Sequence, residues 1–167
     1  EEKAFGQASR NIAESPWENR IKVFHCAVQE FEPEAQYDLI TSNPPYFQES
    51  LKNPQKERSL ARHTDNLSYN ELITFAVRWL KPNGRLAVIL PSSEKERFSE
   101  IALGHHLFCI RLTRVIPRQG LNEKRVLMEF SQKESIFTES ELIIETTKRH
   151  SYSDAYKELT KDFYLDK

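Results

Sequence analysis

The chain has 167 residues, about one domain's worth, and 24 Lys plus Arg against 25 Asp plus Glu leave a net charge of −1. That balance excludes attachment to nucleic acid by bulk charge, so any basic surface is local. No apolar run approaches the length that spans a membrane, and no signal-peptide pattern is present. Apolar residues are 38%, low for a globular domain, yet ten Phe, six Tyr and two Trp are enough to build a core. Cys26 and Cys109 make no disulfide framework, so the expected compartment is reducing and cytoplasmic. Gly6, Gly84, Gly104 and Gly120 are too dispersed for a Gly-rich phosphate cradle.

Residues 2–14 read as a helix, with Ala4, Phe5, Ala8 and Ile12 near one face and Ser15-Pro16 as its stop. Ile21, Val23 and Phe24 predict a short strand to Cys26, and residues 30–36 a loop with a little helix. Residues 37–42 predict a strand ending at Asn43-Pro44-Pro45-Tyr46; residues 47–66 read as a long loop. Ser68 with Glu71 is a capping box opening a helix that carries Leu72, Phe75, Ala76, Trp79 and Leu80 on one face. Lys81-Pro82-Asn83-Gly84 reads as a turn, and Arg85 to Leu90 as a strand buried on both faces, closed by Pro91. Ser93 with Glu96 predicts a second capping box for a helix to about Leu103. Strands follow at 108–116 and 124–130, an expected antiparallel pair at a sheet edge; then come the apolar run Leu142-Ile143-Ile144 and a helix from Ser153 to Phe163. Alternating helices and strands give an α/β fold with a mostly parallel sheet.

Asn43-Pro44-Pro45-Tyr46 sits where open α/β sheets bind ligands, at the carboxyl end of a strand. Two prolines fix φ and donate no N–H, so their carbonyls stay available as acceptors. Asn43, preceding proline, is kept out of the helical region, which lets its side-chain oxygen point forward. Such a pair of acceptors suits an exocyclic amine: both N–H protons are held and the lone pair faces an electrophile. Tyr46 offers a face on which a base can stack, worth roughly 1–3 kcal/mol. The plainer alternative is a proline-rich turn after a strand.

Tyr37 to Tyr46 resembles the catalytic motif of S-adenosylmethionine-dependent amino-methyltransferases with a Rossmann-like class I fold. Gln7-Ala8, Asn11-Ile12, Ser15-Pro16-Trp17, Arg20-Ile21, Ala61-Arg62-His63, residues 86–91, Arg125-Val126-Leu127 and Phe130-Ser131 are similar to the bacterial tRNA1(Val) adenine-N6 methyltransferases. So are Tyr152 to Tyr156, Leu159-Thr160 and Phe163-Tyr164-Leu165. The resemblance implies that Asn43 and Pro44 bind the N6 amine of a flipped adenine at position 37 of tRNA-Val, with Pro45 and Tyr46 completing the catalytic set and Tyr46 stacking on the base. It implies S-adenosylmethionine as cofactor, touched by Asn43 and by Ala27 and Val28, where the family often carries an acidic residue. The family's Gly-rich loop would lie upstream of Glu1. The chain is thus expected to be one domain over residues 1–167, roughly the substrate-binding two-thirds of the family's fold without its N-terminal strands, with 132–167 as a strand-and-helix extension. On its own it is expected to be inactive.

Lys52, Lys56, Arg58, Arg62 and His63 crowd the loop after the motif and form a candidate RNA track. A second basic group holds Arg111, Arg114, Arg118, Lys124 and Arg125; Arg118, Lys124 and Arg125 are taken as RNA-binding. A third, Lys148, Arg149 and His150, reads as solvated surface. His25, His105, His106 and both cysteines lack metal-ligand spacing, so no metal is expected. Trp17 and Trp79 read as packing residues. The alternative functions are a glutamine-N5 protein methyltransferase and a non-catalytic RNA-binding fragment.

Overall fold

The computed structural model describes residues 2–45 and 67–163, in two compact units, Glu1–Pro33 and Glu34–Lys167. In the first unit, α1 spans Glu2–Ala13. Its last turn closes through Glu14 N–H to Arg10 O at 3.0 Å, and the Ser15 hydroxyl donates to Ile12 O at 2.8 Å. The expected strand at 21–26 does not form. A strand needs a partner to complete its ladder, and none among the described residues pairs with it. Ile21, Val23 and Phe24 stay 42%, 36% and 56% exposed. Ring contacts hold this stretch instead: Phe5 stacks on His25 at 5.1 Å, and Phe24 meets Phe31 at 4.7 Å.

The second unit is an α/β structure built on five strands: β1 Tyr37–Ser42, β2 Leu80–Pro91, β3 Phe108–Arg118, β4 Arg125–Ser131 and β5 Thr138–Glu145. Their order across the sheet is β1-β2-β4-β3-β5. β1 is parallel to β2 and β3 to β5, while β4 is antiparallel to both its neighbours. Four strands therefore run one way and β4 the other. The antiparallel strand lies inside the sheet and not at its edge as expected, because β5 adds alongside β3 and takes the edge position. That pairing is long-range and leaves no mark in the order of elements.

Among the described residues three α-helices accompany the sheet: α2 Tyr69–Trp79, α3 Lys95–Gly104 and α4 Asp154–Thr160. Leu86, Val88 and Leu90 of β2 alternate inward with Val126, Met128 and Phe130 of β4. They meet Leu72, Ile73 and Ala76 of α2 and Phe98 and Ala102 of α3 in one core. Ala87 and Ile89, on the other face of β2, are only half-buried, so the strand is not enclosed on both faces as its apolar run suggested. Among the described residues, no helix is long and apolar enough to cross a membrane.

Two local readings change. Ser68 forms the capping box with Glu71: Glu71 N–H donates to the Ser68 hydroxyl at 3.2 Å, and Ser68 N–H donates to the Glu71 carboxylate at 2.7 Å. Ser93 does not cap. Residues Ser92–Glu94 make a 3-10 turn and α3 starts after Glu94 without a side-chain cap. Ser92 is drawn away by its N–H bond to Lys124 O at 3.1 Å and its hydroxyl bond to Glu123 O at 3.2 Å, so sheet contacts override the local pattern. The expected turn at 81–84 is instead a bulge within β2, since Tyr37 pairs with Leu80 but Leu39 with Arg85. Lys81 Nζ pairs with Asp38 at 2.8 Å across it.

Gly84 sits where a Cβ would lie 2.7 Å from Tyr37 O and 3.0 Å from Leu80 Cδ2. Gly84→Ala is expected to destabilise by about 1–3 kcal/mol. Gly104→Ala, in open space near a helix end, is expected to change stability by no more than about 1 kcal/mol. Urea unfolding of the two variants checks the contrast.

Candidate active site

Ser42 is the last residue of β1 and pairs with Val88. The chain then passes directly into Asn43-Pro44-Pro45 at the carboxyl edge of the sheet. Asn43 and Pro45 are exposed, whereas the Pro44 side chain is fully buried. Alternation thus continues past the strand, with the middle residue fixed in the protein and its neighbours facing outward. Tyr46 lies outside the described residues, as do Lys52, Lys56, Arg58, Arg62 and His63.

Beside Pro45 is a concavity of about 160 Å³, lined among the described residues by Pro45, Ser68, Tyr69, Asn70, Arg97 and Ile101. The start of α2 and one face of α3 make its walls. Tyr69 packs edge-on against Phe98 with ring centroids 5.1 Å apart, and Phe98 against Phe130 at 5.3 Å, which ties the wall to the core. The Arg97 guanidinium lies 5.9 Å from the Tyr69 ring centroid, with Glu94 at 3.9 Å. Asn70 Oδ1 is held by His105 Nε2 at 2.8 Å, which gives that histidine a structural partner. Asn70 and Arg97 were not singled out in the sequence. The Ser68 cap was the available signal for Asn70, since it starts a helix; the long loop expected at 47–66 lies outside the described residues. Arg97 had none, because it is brought there by α3 packing on α2.

The second basic group divides. Arg111 pairs with Glu129 at 3.1 Å, and Arg114 with Glu139 at 3.0 Å and Glu141 at 2.6 Å. Those cations are occupied within the sheet. Lys124 and Arg125, both exposed, stand at the start of β4, where Pro91 pairs with Arg125 and Ser92 N–H reaches Lys124 O. Because β4 is reversed, its start lies on the same carboxyl edge as Asn43. Arg118, at the end of β3, reaches that edge too and pairs with Glu145 at 3.2 Å.

A sequence profile of the Eco57I restriction-modification methylase family matches residues 1–100. Proteins named tRNA1(Val) (adenine(37)-N6)-methyltransferase match along nearly the whole chain. That of Bacteroides thetaiotaomicron is 38% identical over 165 residues, covering 99% of this chain and 69% of its own length. That of Flavobacterium johnsoniae is 42% identical over 168 residues, covering 99% and 71%. The chain belongs to this methyltransferase family. A solved predicted O-methyltransferase from Agrobacterium tumefaciens matches with a TM-score of 0.67 over 91% of this chain and 70% of that one, at 19% identity, a likeness of fold.

Of the residues that the resemblance assigns to the cofactor, Asn43 lies in the second unit. Ala27 and Val28 lie in the first unit, in a turn where Glu30 N–H donates to Ala27 O at 3.0 Å and Phe31 N–H to Val28 O at 3.3 Å. Val28 is half-buried and Ala27 exposed. The turn thus uses these two carbonyls internally. Among the described residues no group of three or more His, Cys, Asp or Glu is placed to hold a metal ion.

Two measurements follow from this geometry. Ser68→Ala removes the cap at the pocket wall and is expected to cost about 1 kcal/mol in denaturant unfolding, with Ser68→Asp restoring most of it. Burial pushes the Cys109 thiol up to about 11, so at pH 8 it stays protonated. Iodoacetamide is expected to label the exposed Cys26 well ahead of Cys109, read by peptide mass.

Proposed function

We propose that this chain carries the family's reaction, transfer of a methyl group from S-adenosylmethionine to N6 of an adenine in tRNA, at position 37 of tRNA-Val as the names of its relatives state. The observation that carries the reading is Asn43-Pro44-Pro45 leaving β1 at the carboxyl edge, with Pro44 buried between two exposed residues. A tRNA substrate puts the work in the cytoplasm. The same motif would serve a glutamine amide, but the relatives are named for an adenine in tRNA, which favours the RNA reading.

When bound, S-adenosylmethionine supplies an electrophilic methyl group; the chain's part is to hold the nitrogen that accepts it. The Asn43 side-chain oxygen accepts a hydrogen bond from one N6–H and the Pro44 carbonyl accepts one from the other; the single proton that methylation releases leaves to solvent once the new bond has made the nitrogen acidic. With both protons engaged, the nitrogen lone pair is left for the new bond. Positive charge that develops on nitrogen is stabilised by the same two oxygens, so no strong base is required. Tyr46 is assigned the stacking role and Pro45 the fixing of the turn. Positioning supplies most of the acceleration. Ala27 and Val28 are assigned to the cofactor's adenine. Lys52, Lys56, Arg58, Arg62 and His63, with Arg118, Lys124 and Arg125, are assigned to the RNA backbone. Residues 132–167 are read as an extension of the methyltransferase domain.

In the full-length protein, Asn43→Ala is expected to lower methyl incorporation into unmodified tRNA by about 10²-fold or more, while the Kd for tRNA stays within a few-fold. Methyl incorporation and filter binding on the same samples check both. Near-normal turnover would overturn the mechanism.

A further inference from the structure

The turn after β5 was expected to be ordinary solvated surface. Its construction argues otherwise. Glu145, the last residue of β5, uses both carboxylate oxygens: Oε1 accepts the His150 N–H at 2.9 Å, and Oε2 accepts Arg118 Nε at 3.3 Å and a terminal Arg118 nitrogen at 3.2 Å. Thr146 N–H donates to Ser151 O at 2.7 Å, Ser151 N–H to Lys148 O at 3.2 Å, and Glu145 bridges Tyr152. His150 is held at φ 63°, in the left-handed region, which aims its backbone N–H at the Glu145 carboxylate. The bond from the His150 amide, with Arg118 beside it, holds the Glu145 carboxyl below its ordinary range, so the clamp is charged at neutral pH.

The clamp displays cations. Thr147, Lys148, Arg149 and His150 are all exposed, and Lys148 and Arg149 make no ion pair among the described residues. The turn itself, residues 146–151, contains no carboxylate. Glu145 is the nearest in sequence, and Arg118 answers its charge. Tyr152 follows at 41% exposure, with its ring 5.4 Å from that of Tyr156. Position completes the argument. β5 ends on the same carboxyl edge as β1, and four inter-strand steps of about 4.8 Å separate them, about 19 Å in all. Lys124 and Arg125, two strands from β1, fall midway.

We propose that the turn at residues 146–151 is a docking point for the tRNA backbone, remote from the reacting base, with Lys148 and Arg149 meeting phosphates and Glu145 acting as the positioning residue that shapes the turn. The proposal rests on the tRNA reading given above. A base held at Asn43 would leave the adjoining stem free to run along the edge, past Lys124 and Arg125, to this turn. Phosphate contacts of this kind fix register and orientation and carry no base specificity.

The test uses the full-length protein and unmodified tRNA. In the double variant Lys148→Ala, Arg149→Ala, the Kd is expected to rise about tenfold. The slope of log affinity against log salt should fall by between about 1.4 and 1.8, the yield of two lost phosphate contacts, and the loss should appear in KM for tRNA more than in kcat. Glu145 gives the sharper contrast. Removing a carboxylate next to RNA would by charge alone tighten binding, so weaker binding by Glu145→Ala reports loss of the turn's shape. Glu145→Gln keeps an acceptor for the His150 N–H and should recover most of the affinity. An unchanged Kd and slope in the double variant overturns the docking point, and unchanged or tighter binding by Glu145→Ala overturns the positioning role. If the unsubstituted protein methylates no tRNA, the functional reading fails and takes this proposal with it. If it does methylate tRNA, a silent double variant removes the docking point alone.

Discussion

The structure turns on one strand face. Leu86, Val88 and Leu90 of β2 are buried together, and everything that matters for the site is placed relative to them. Their side chains seat α2 and α3 on one side of the sheet. Their backbone pairs with β1 on one edge and with β4 on the other. A slip of one residue in either ladder would turn these side chains away from the helices, so burial locks the register. With the register locked, Ser42 stays opposite Val88, and the three residues after it emerge where the sheet ends.

A second consequence comes from the direction of β4. In an all-parallel sheet the carboxyl edge receives only strand ends. Reversing β4 brings a strand beginning, Lys124-Arg125, to that edge, between the motif and the ends of β3 and β5. Basic residues from three separate stretches of chain thereby share one border of the sheet. The arginines within β3, Arg111 and Arg114, are paired with cross-strand carboxylates. The net charge of −1 is a sum over the whole chain and is compatible with a locally cationic border.

Much of this was legible in the sequence where the determinant was local. The Ser68–Glu71 box marked the start of α2 because both halves of the cap lie within one turn. The strand into Asn43-Pro44-Pro45 and the α/β alternation were legible for the same reason. What failed depended on contacts distant in the chain. Ser93-Glu96 has the same lettering as the true cap, but Ser92 is tied to the start of β4, and the helix begins later. Lys81-Pro82-Asn83-Gly84 reads as a turn and is a bulge, because Tyr37 and Leu39 require the two strands to stay together around it. The apolar residues of the 21–26 stretch suggested a strand, yet among the described residues no ladder partner pairs with it. In the site, Asn43 and its prolines announced themselves, whereas Arg97 reaches the pocket only through the packing of two helices. The hold of Glu145 on the turn at 146–151 likewise depends on Arg118, 27 residues away.

Pro44 has one further implication. It is an immobilised residue between two accessible ones, in a peptide whose prolines already restrict rotation. The conformational freedom that a flexible loop would have to surrender on meeting its substrate has been given up when the chain folds. In the proposed reaction, the acceptor cradle therefore adds little to the entropy of activation, and the ordering cost falls on the RNA, which must present its base.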